Sequence, residues 1–192
     1  MQAKQQEIEM IEEIRPNYTR ISTILEPYND YDSIPEEILG IAAERGTRIH
    51  GLCELYAREG IYMPSEYDGF TGAFKKWFDR EVETVLETEC RLYCETYEIT
   101  GQFDLLVRLK TKQLFVVDIK TCVAKHKSWP LQVAAYSYLY AQKTGKNHTF
   151  YERAVVHLKK DGRYGFYEYP RRETDLDLFM SALKLHRYFK KG

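Results

Sequence analysis

Two aspartates and a lysine stand inside the most apolar stretch of this chain. In GQFDLLVRLKTKQLFVVDIKT, residues 101–121, Asp104 lies between Phe103 and Leu105, and Asp118 follows Phe115, Val116 and Val117. One residue separates Asp118 from Lys120. Side chains two apart on a strand share a face, so Asp118 and Lys120 project together while Ile119 points into the core. The carbonyl of Ile119 stays free to act as a ligand. If the two runs pair through the short TKQ connection, Asp104 comes to lie beside Asp118. Adjacent carboxylates repel, and one of them would have to hold a proton. A hard divalent cation removes the conflict, because Mg²⁺ takes oxygen ligands from one or two carboxylates together with water and phosphate. Next to such an ion, the Lys120 ammonium can orient an attacking water and stabilise charge on a pentavalent phosphorus. The other reading of Lys120 is a structural salt bridge to one of the aspartates.

Two further groups could join this chemistry. Gln132 and Tyr136, four apart in QVAAY, share one helix face, although either could be an ordinary half-buried polar residue. RGTRIH places His50 with Arg45 and Arg48 in a long helix, where a lone histidine is more often a satisfied surface or core residue than a ligand.

The elements that must position these groups can be read from pattern. The acidic, loosely amphipathic first 14 residues form a helix ending before Pro16. SIPEEILGIAAERGTRIHGLCELYAREG reads as a long helix with Ser33 as N-cap, Pro35 in the first turn and Gly60 near its end. Its apolar residues Ile38, Ile41, Ala42, Ile49, Leu52, Cys53 and Tyr56 recur at helical spacing and should face inward. A second helix is expected over residues 71–86, with Phe74, Trp77, Phe78 and Val85 inward. ECRLYCETYEI, GQFDLLVRL and LFVVDIKT are β-rich runs. SWPLQVAAYSYLYAQKTG is a helix between Ser128 and Gly145. TFYERAVVHL and YGFYEYP are strands around a KKDGR turn, and a last helix runs over 174–190. The order is that of one α/β domain.

Composition agrees. The chain has 192 residues, of which 44% are hydrophobic and 30% charged, enough for a sizeable core. No apolar run reaches the ~20 residues of a membrane span, so no membrane partner is expected. The start lacks a signal-peptide layout, and the expected location is the cytoplasm. Residues 1–100 carry a balance of −11 and residues 101–192 one of +10, within a total of −1. That asymmetry fits a polyanion partner for the basic half, or two halves that neutralise each other in the fold. Cys53, Cys90, Cys94 and Cys122 contain no C-x-x-C pair, which argues for reduced thiols rather than a structural zinc site.

Taken in order, His50, Glu89, Asp104, Asp118-Ile119-Lys120 and Gln132-x-x-x-Tyr136 resemble the PD-(D/E)xK nuclease superfamily. The RecB-like exonuclease branch is most similar, through ISTIL, AERGTRIHGLCE, GQFDLL, VVDIKT and QVAAYSYL over about residues 20–140. The resemblance implies a restriction-endonuclease-like core, with a mixed central β-sheet flanked by α-helices. The whole chain, 1–192, would be one nuclease domain, with a helical extension over 1–34 and the core over 35–192. Asp104, Asp118, the Ile119 carbonyl and His50 would hold the metal, and Lys120 would be the catalytic lysine. Gln132 and Tyr136 would sit at the site and touch the nucleic-acid backbone. Glu89 is a candidate accessory acid, with Glu87 as its rival two residues away. Phe103 replaces the proline of the family's name, a frequent departure in this branch. Iron–sulfur members need three cysteines after the helix bearing Gln132. The last cysteine here is Cys122, so no iron–sulfur cluster is expected.

The expected activity is a DNA exonuclease dependent on Mg²⁺ or Mn²⁺. Its substrate would be single-stranded or end-bearing double-stranded DNA, in recombination, repair or phage DNA processing. A bacterial or phage source and a single-strand annealing protein as partner follow by analogy alone. Arg45, Arg48, Lys125, Lys127 and Trp129 would bind the strand, with His126, Arg153, Lys159, Lys160 and Arg163 extending the basic surface; Trp129 would either stack on a base or pack in the core at its helix start. The alternatives are a catalytically inactive nucleic-acid-binding protein on the same fold, a structure-specific endonuclease, or a hydrolase of another phosphoester.

Overall fold

The apolar stretch with the two aspartates forms the middle of a six-stranded mixed sheet. The computed structural model describes residues 18–31, 34–170 and 172–190. The expected helix in the first 14 residues and the Ser33 cap lie outside the described residues. The described elements begin with β1 (Thr19–Arg20), α1 (Ile21–Leu25) and a 3₁₀ turn (Glu26–Tyr28). Two helices, α2 (Glu36–Glu59) and α3 (Asp68–Glu81), then lead into β2 (Val82–Cys94), β3 (Ile99–Leu109) and β4 (Leu114–Lys120). After α4 (Trp129–Thr144) and a second 3₁₀ turn (His148–Phe150) come β5 (Glu152–Leu158), β6 (Tyr164–Glu168) and α5 (Arg172–Lys190).

β2, β3 and β4 form an antiparallel meander, β4 pairs parallel with β5, and β6 returns antiparallel along β5. The two residues of β1 run parallel to the start of β3, Thr19 beside Ile99 and Arg20 beside Thr100. A crossover through α4 makes the β4–β5 pair parallel, as a parallel pair requires. The sheet is covered on both sides. Phe103, Leu106 and Val116 pack with α1, α4 and α5 in one core, and Leu105, Val107, Phe115 and Ile119 pack with α2 and α3 in the other.

Phe103 and Leu105 are two apart, yet they enter different cores. The alternation of β3 is therefore broken at Asp104. Across the ladder, Glu89 lies between the pairs Thr88–Leu105 and Cys90–Phe103 and has a left-handed backbone with φ 47°. A left-handed residue inside a strand disturbs the pleat locally and redirects side chains.

Two expectations change here. The helix predicted over 71–86 ends at Glu81, and the chain enters β2 at Val82. Val82, Thr84, Val85 and Thr88 are β-branched and pair with β3, so ladder partners override the helical pattern. In α2 only Ile49 and Cys53 are buried, while Ile38 and Ile41 are 52% and 56% exposed. The second half of this helix carries its packing.

Candidate active site

The site grows from Asp104. It sits one step beyond the Leu105–Val117 pair, in the central strand, and only 7% of it is exposed. Its Oδ2 accepts the backbone N–H of Ile119 on β4, and its Oδ1 lies 2.9 Å from Nδ1 of His50 on α2. Glu89 approaches from β2, its carboxylate accepting a hydrogen bond from the Gln102 amide. One ligand atom each from His50, Glu89 and Asp104 fall within 4.8 Å of one another. A nitrogen and two carboxylate oxygens converging this closely fit a divalent cation such as Mg²⁺ or Mn²⁺. Among the described residues no other histidine, cysteine or carboxylate group converges in this way.

Asp118 stands beside this cluster rather than inside it. The residue is 4% exposed, and its carboxylate pairs with Lys120 Nζ at 2.7 Å. The two aspartates divide electrostatically. Burial pushes Asp104 up, but the charge and hydrogen bond of His50 and the Ile119 amide hold it below the usual carboxylate range. Burial and the neighbouring Asp104 raise Asp118 despite Lys120. Burial also lowers His50, but Asp104 more than reverses this and brings it to about 9. Glu89, half-buried and facing Asp104, rises to about 7. Carboxylates held apart in this way answer the repulsion expected from the sequence.

Lys120 opens into a cleft of about 230 Å³ with His50, Thr121 and Gln132. One wall is Ser22 and Leu25 from α1 with Asn29 and Tyr31 beyond it; the other is Ser128, Trp129 and Gln132 at the start of α4. The Ser128 hydroxyl donates to Oδ1 of Asn29 and ties the walls together. On α4, Gln132 Nε2 donates to Tyr136 Oη at 2.8 Å. Tyr136 reaches this place because residue 101 is glycine. A Cβ there would come within 2.6 Å of the Tyr136 ring and 2.7 Å of Ile21 Cδ1.

The predicted strand-binding residues are scattered. Lys125 and Lys127 are exposed on the loop after β4, with Lys125 Nζ 3.7 Å above the Tyr167 ring. Arg48 pairs with Glu44 at 2.7 Å, and Arg45 rests over Phe70; neither lines the cleft. Trp129 is 2% exposed and packs with Val133, Val155 and His157, so it floors the cleft as a core residue instead of offering a free face for stacking. Arg153 is likewise 2% exposed, donating to the Tyr169 carbonyl at 2.7 Å and pairing with Asp175 at 3.2 Å. It joins β5 to α5 and is out of reach of a strand. The Ile119 side chain is buried, as expected, and its amide is engaged by Asp104.

Sequence reasoning missed Gln102, although its place two residues before Asp104 was a usable signal. It also missed Ser22, Asn29 and Tyr31, whose types carry no mark of a site.

The model of the PD-(D/E)XK nuclease superfamily matches residues 31–184, and the chain belongs to that superfamily. Its architecture is the restriction-endonuclease-like one, a mixed sheet flanked by helices. Similar solved structures include SSO0001, with 17% identity, a TM-score of 0.46 and coverage of 95% of this chain and 83% of that one. The alkaline exonuclease LHK-Exo from Laribacter hongkongensis has 14% identity and a TM-score of 0.36, over 95% and 96% of the two chains. No curated protein matches the sequence. No helix among the described residues is long and apolar enough to cross a membrane.

Proposed function

We propose that this protein is a divalent-metal-dependent DNA exonuclease that hydrolyses phosphodiester bonds from a strand end. The observation that carries the reading is the convergence of His50, Glu89 and Asp104 beside the Asp118–Lys120 pair at the head of a polar cleft. His50, Glu89 and Asp104 would hold the cation, with Asp118 and the Ile119 carbonyl completing the set as the strand brings its phosphate. When bound, Mg²⁺ or Mn²⁺ supplies Lewis acidity at the phosphate. Lys120 orients the attacking water and stabilises negative charge on the phosphoryl oxygens; Asp118 holds its ammonium in place. Gln132 and Tyr136 fix the strand against α4.

The requirement for an end rests on the cleft's walls. Asn29 and Ser128 are bonded across it, and this tie between the walls would favour threading of a strand end over sideways entry. The test compares end-labelled linear DNA with covalently closed circles of the same sequence in Mg²⁺ or Mn²⁺. Linear strands should be shortened and circles persist. Circles opened as fast as linear strands are shortened would make the protein an endonuclease, and no metal-dependent cleavage of either would make it a binding protein.

A further inference from the structure

A second cavity, of about 280 Å³, lies next to the catalytic cleft. Arg20 at the end of β1 and Arg91 on β2 line it together with Gln102, Thr100 and Tyr136. The two cavities share Ser22. They also meet through one hydrogen bond, since Gln132 of the first donates to Tyr136 of the second at 2.8 Å. Arg91 is the register partner of Gln102, and the Gln102 amide holds Glu89. The second cavity is thus one side chain away from the metal cluster and spans β3, with Arg91 on its β2 edge and Arg20 on the edge that β4 also uses.

Charge gives this cavity its meaning. Its described lining contains two guanidinium groups and no carboxylate, directly beside the half-buried Glu89 and the buried Asp104. Guanidinium presents paired N–H donors that match the oxygens of a phosphate. The shared Ser22 and the Gln132–Tyr136 bond set the two cavities side by side, within the spacing of successive phosphates of one strand.

On the nuclease reading above, we propose that Arg20 and Arg91 form a subsite for the phosphodiester adjacent to the scissile one, across Gln102 from the metal cluster. The strand then runs from the Lys120 cleft past the Gln132–Tyr136 pair into the arginine cavity. Two charged contacts on neighbouring phosphates set which bond lies over the metal.

The test uses single-stranded oligonucleotides carrying one neutral methylphosphonate at successive positions. Binding is measured in Ca²⁺ for the wild-type chain, Arg91→Gln and Arg20→Gln. Wild type should lose affinity on the order of tenfold when the phosphate beside the scissile one is neutralised, as expected for a charged hydrogen bond. Each arginine variant should bind more weakly and become insensitive at that position while staying sensitive elsewhere. Arg20 is exposed, so its substitution keeps the test valid if Arg91→Gln fails to fold. Variants as sensitive as wild type at every position overturn the subsite alone. A wild-type chain that neither binds nor cleaves DNA overturns the nuclease reading and the subsite with it.

Discussion

His50 and Asp104, 54 positions apart in the chain, meet at 2.9 Å between Nδ1 and Oδ1. That contact brings the middle of a helix onto the central strand and sets two candidate ligand atoms side by side. Asp104→Asn keeps the shape and removes the charge. It should abolish cleavage and weaken Mn²⁺ binding in a calorimetric titration. Near-normal turnover would end the metal-site assignment.

Lys120→Ala should separate chemistry from binding. The loss of an electrostatic stabiliser lowers cleavage by roughly 10²-fold or more, while binding of DNA in Ca²⁺ survives. The substitution also strips the partner from a buried Asp118, so thermal stability is recorded in parallel. Unchanged activity per folded molecule would leave Lys120 as a structural salt bridge only.

Gly101→Ala probes the fit between β3 and α4. Its methyl group would press on the Tyr136 ring and on Ile21. Overpacking of this kind costs about 1–3 kcal/mol and should displace the Gln132–Tyr136 pair, lowering both the melting temperature and the cleavage rate. A variant with wild-type stability and rate would show that Tyr136 need not lie where it does.

The pH dependence of stability has one buried source in His157. Burial lowers its pKa, and Nε2 contacts the Cys122 carbonyl at 2.6 Å. The folded chain resists a proton that the unfolded chain accepts below about 6.5, so the contribution is present above that pH and is lost as pH falls. His126 and His186 are lowered as well, so the difference between wild type and His157→Gln isolates the contribution of His157. Denaturant midpoints between pH 7.5 and 5 should fall less steeply in the variant; parallel curves would exclude His157.

Charge reversal at Lys125 or Lys127 should reduce the salt dependence of DNA binding by about one unit each, if these exposed lysines meet phosphates. The slope is read from affinities at several salt concentrations. An unchanged slope would place both on a face turned away from the strand.

Much of this molecule was legible in residue order. The β3–β4 hairpin announced itself through apolar runs around a short polar turn, and the boundaries of α2 and α4 through Gly60 and Gly145, both left-handed. The helix-to-strand transition at Val82 was hidden because its partner residues, Val107 and Leu109, lie more than 20 positions away. Spacing on β4 put Asp118 with Lys120, but nothing local could say that Lys120 engages Asp118 rather than Asp104. The burial of Trp129 and Arg153 was equally hidden, since it depends on β5 and α5 packing against them. Side-chain chemistry is local, whereas its exposure is decided by elements that arrive later in the chain.

Glu89 shows what the site exacts from the fold. Its φ of 47° suits glycine or asparagine far better than glutamate, and such a backbone costs about 1–3 kcal/mol. The chain therefore carries, in its longest strand, a residue chosen against its own conformational preference. Glu89→Gly should raise the melting temperature while removing a candidate metal ligand and ending cleavage. Selection for a more durable protein would erode the activity first at this position, and a stabilised descendant of this chain would be recognisable by a small residue at 89.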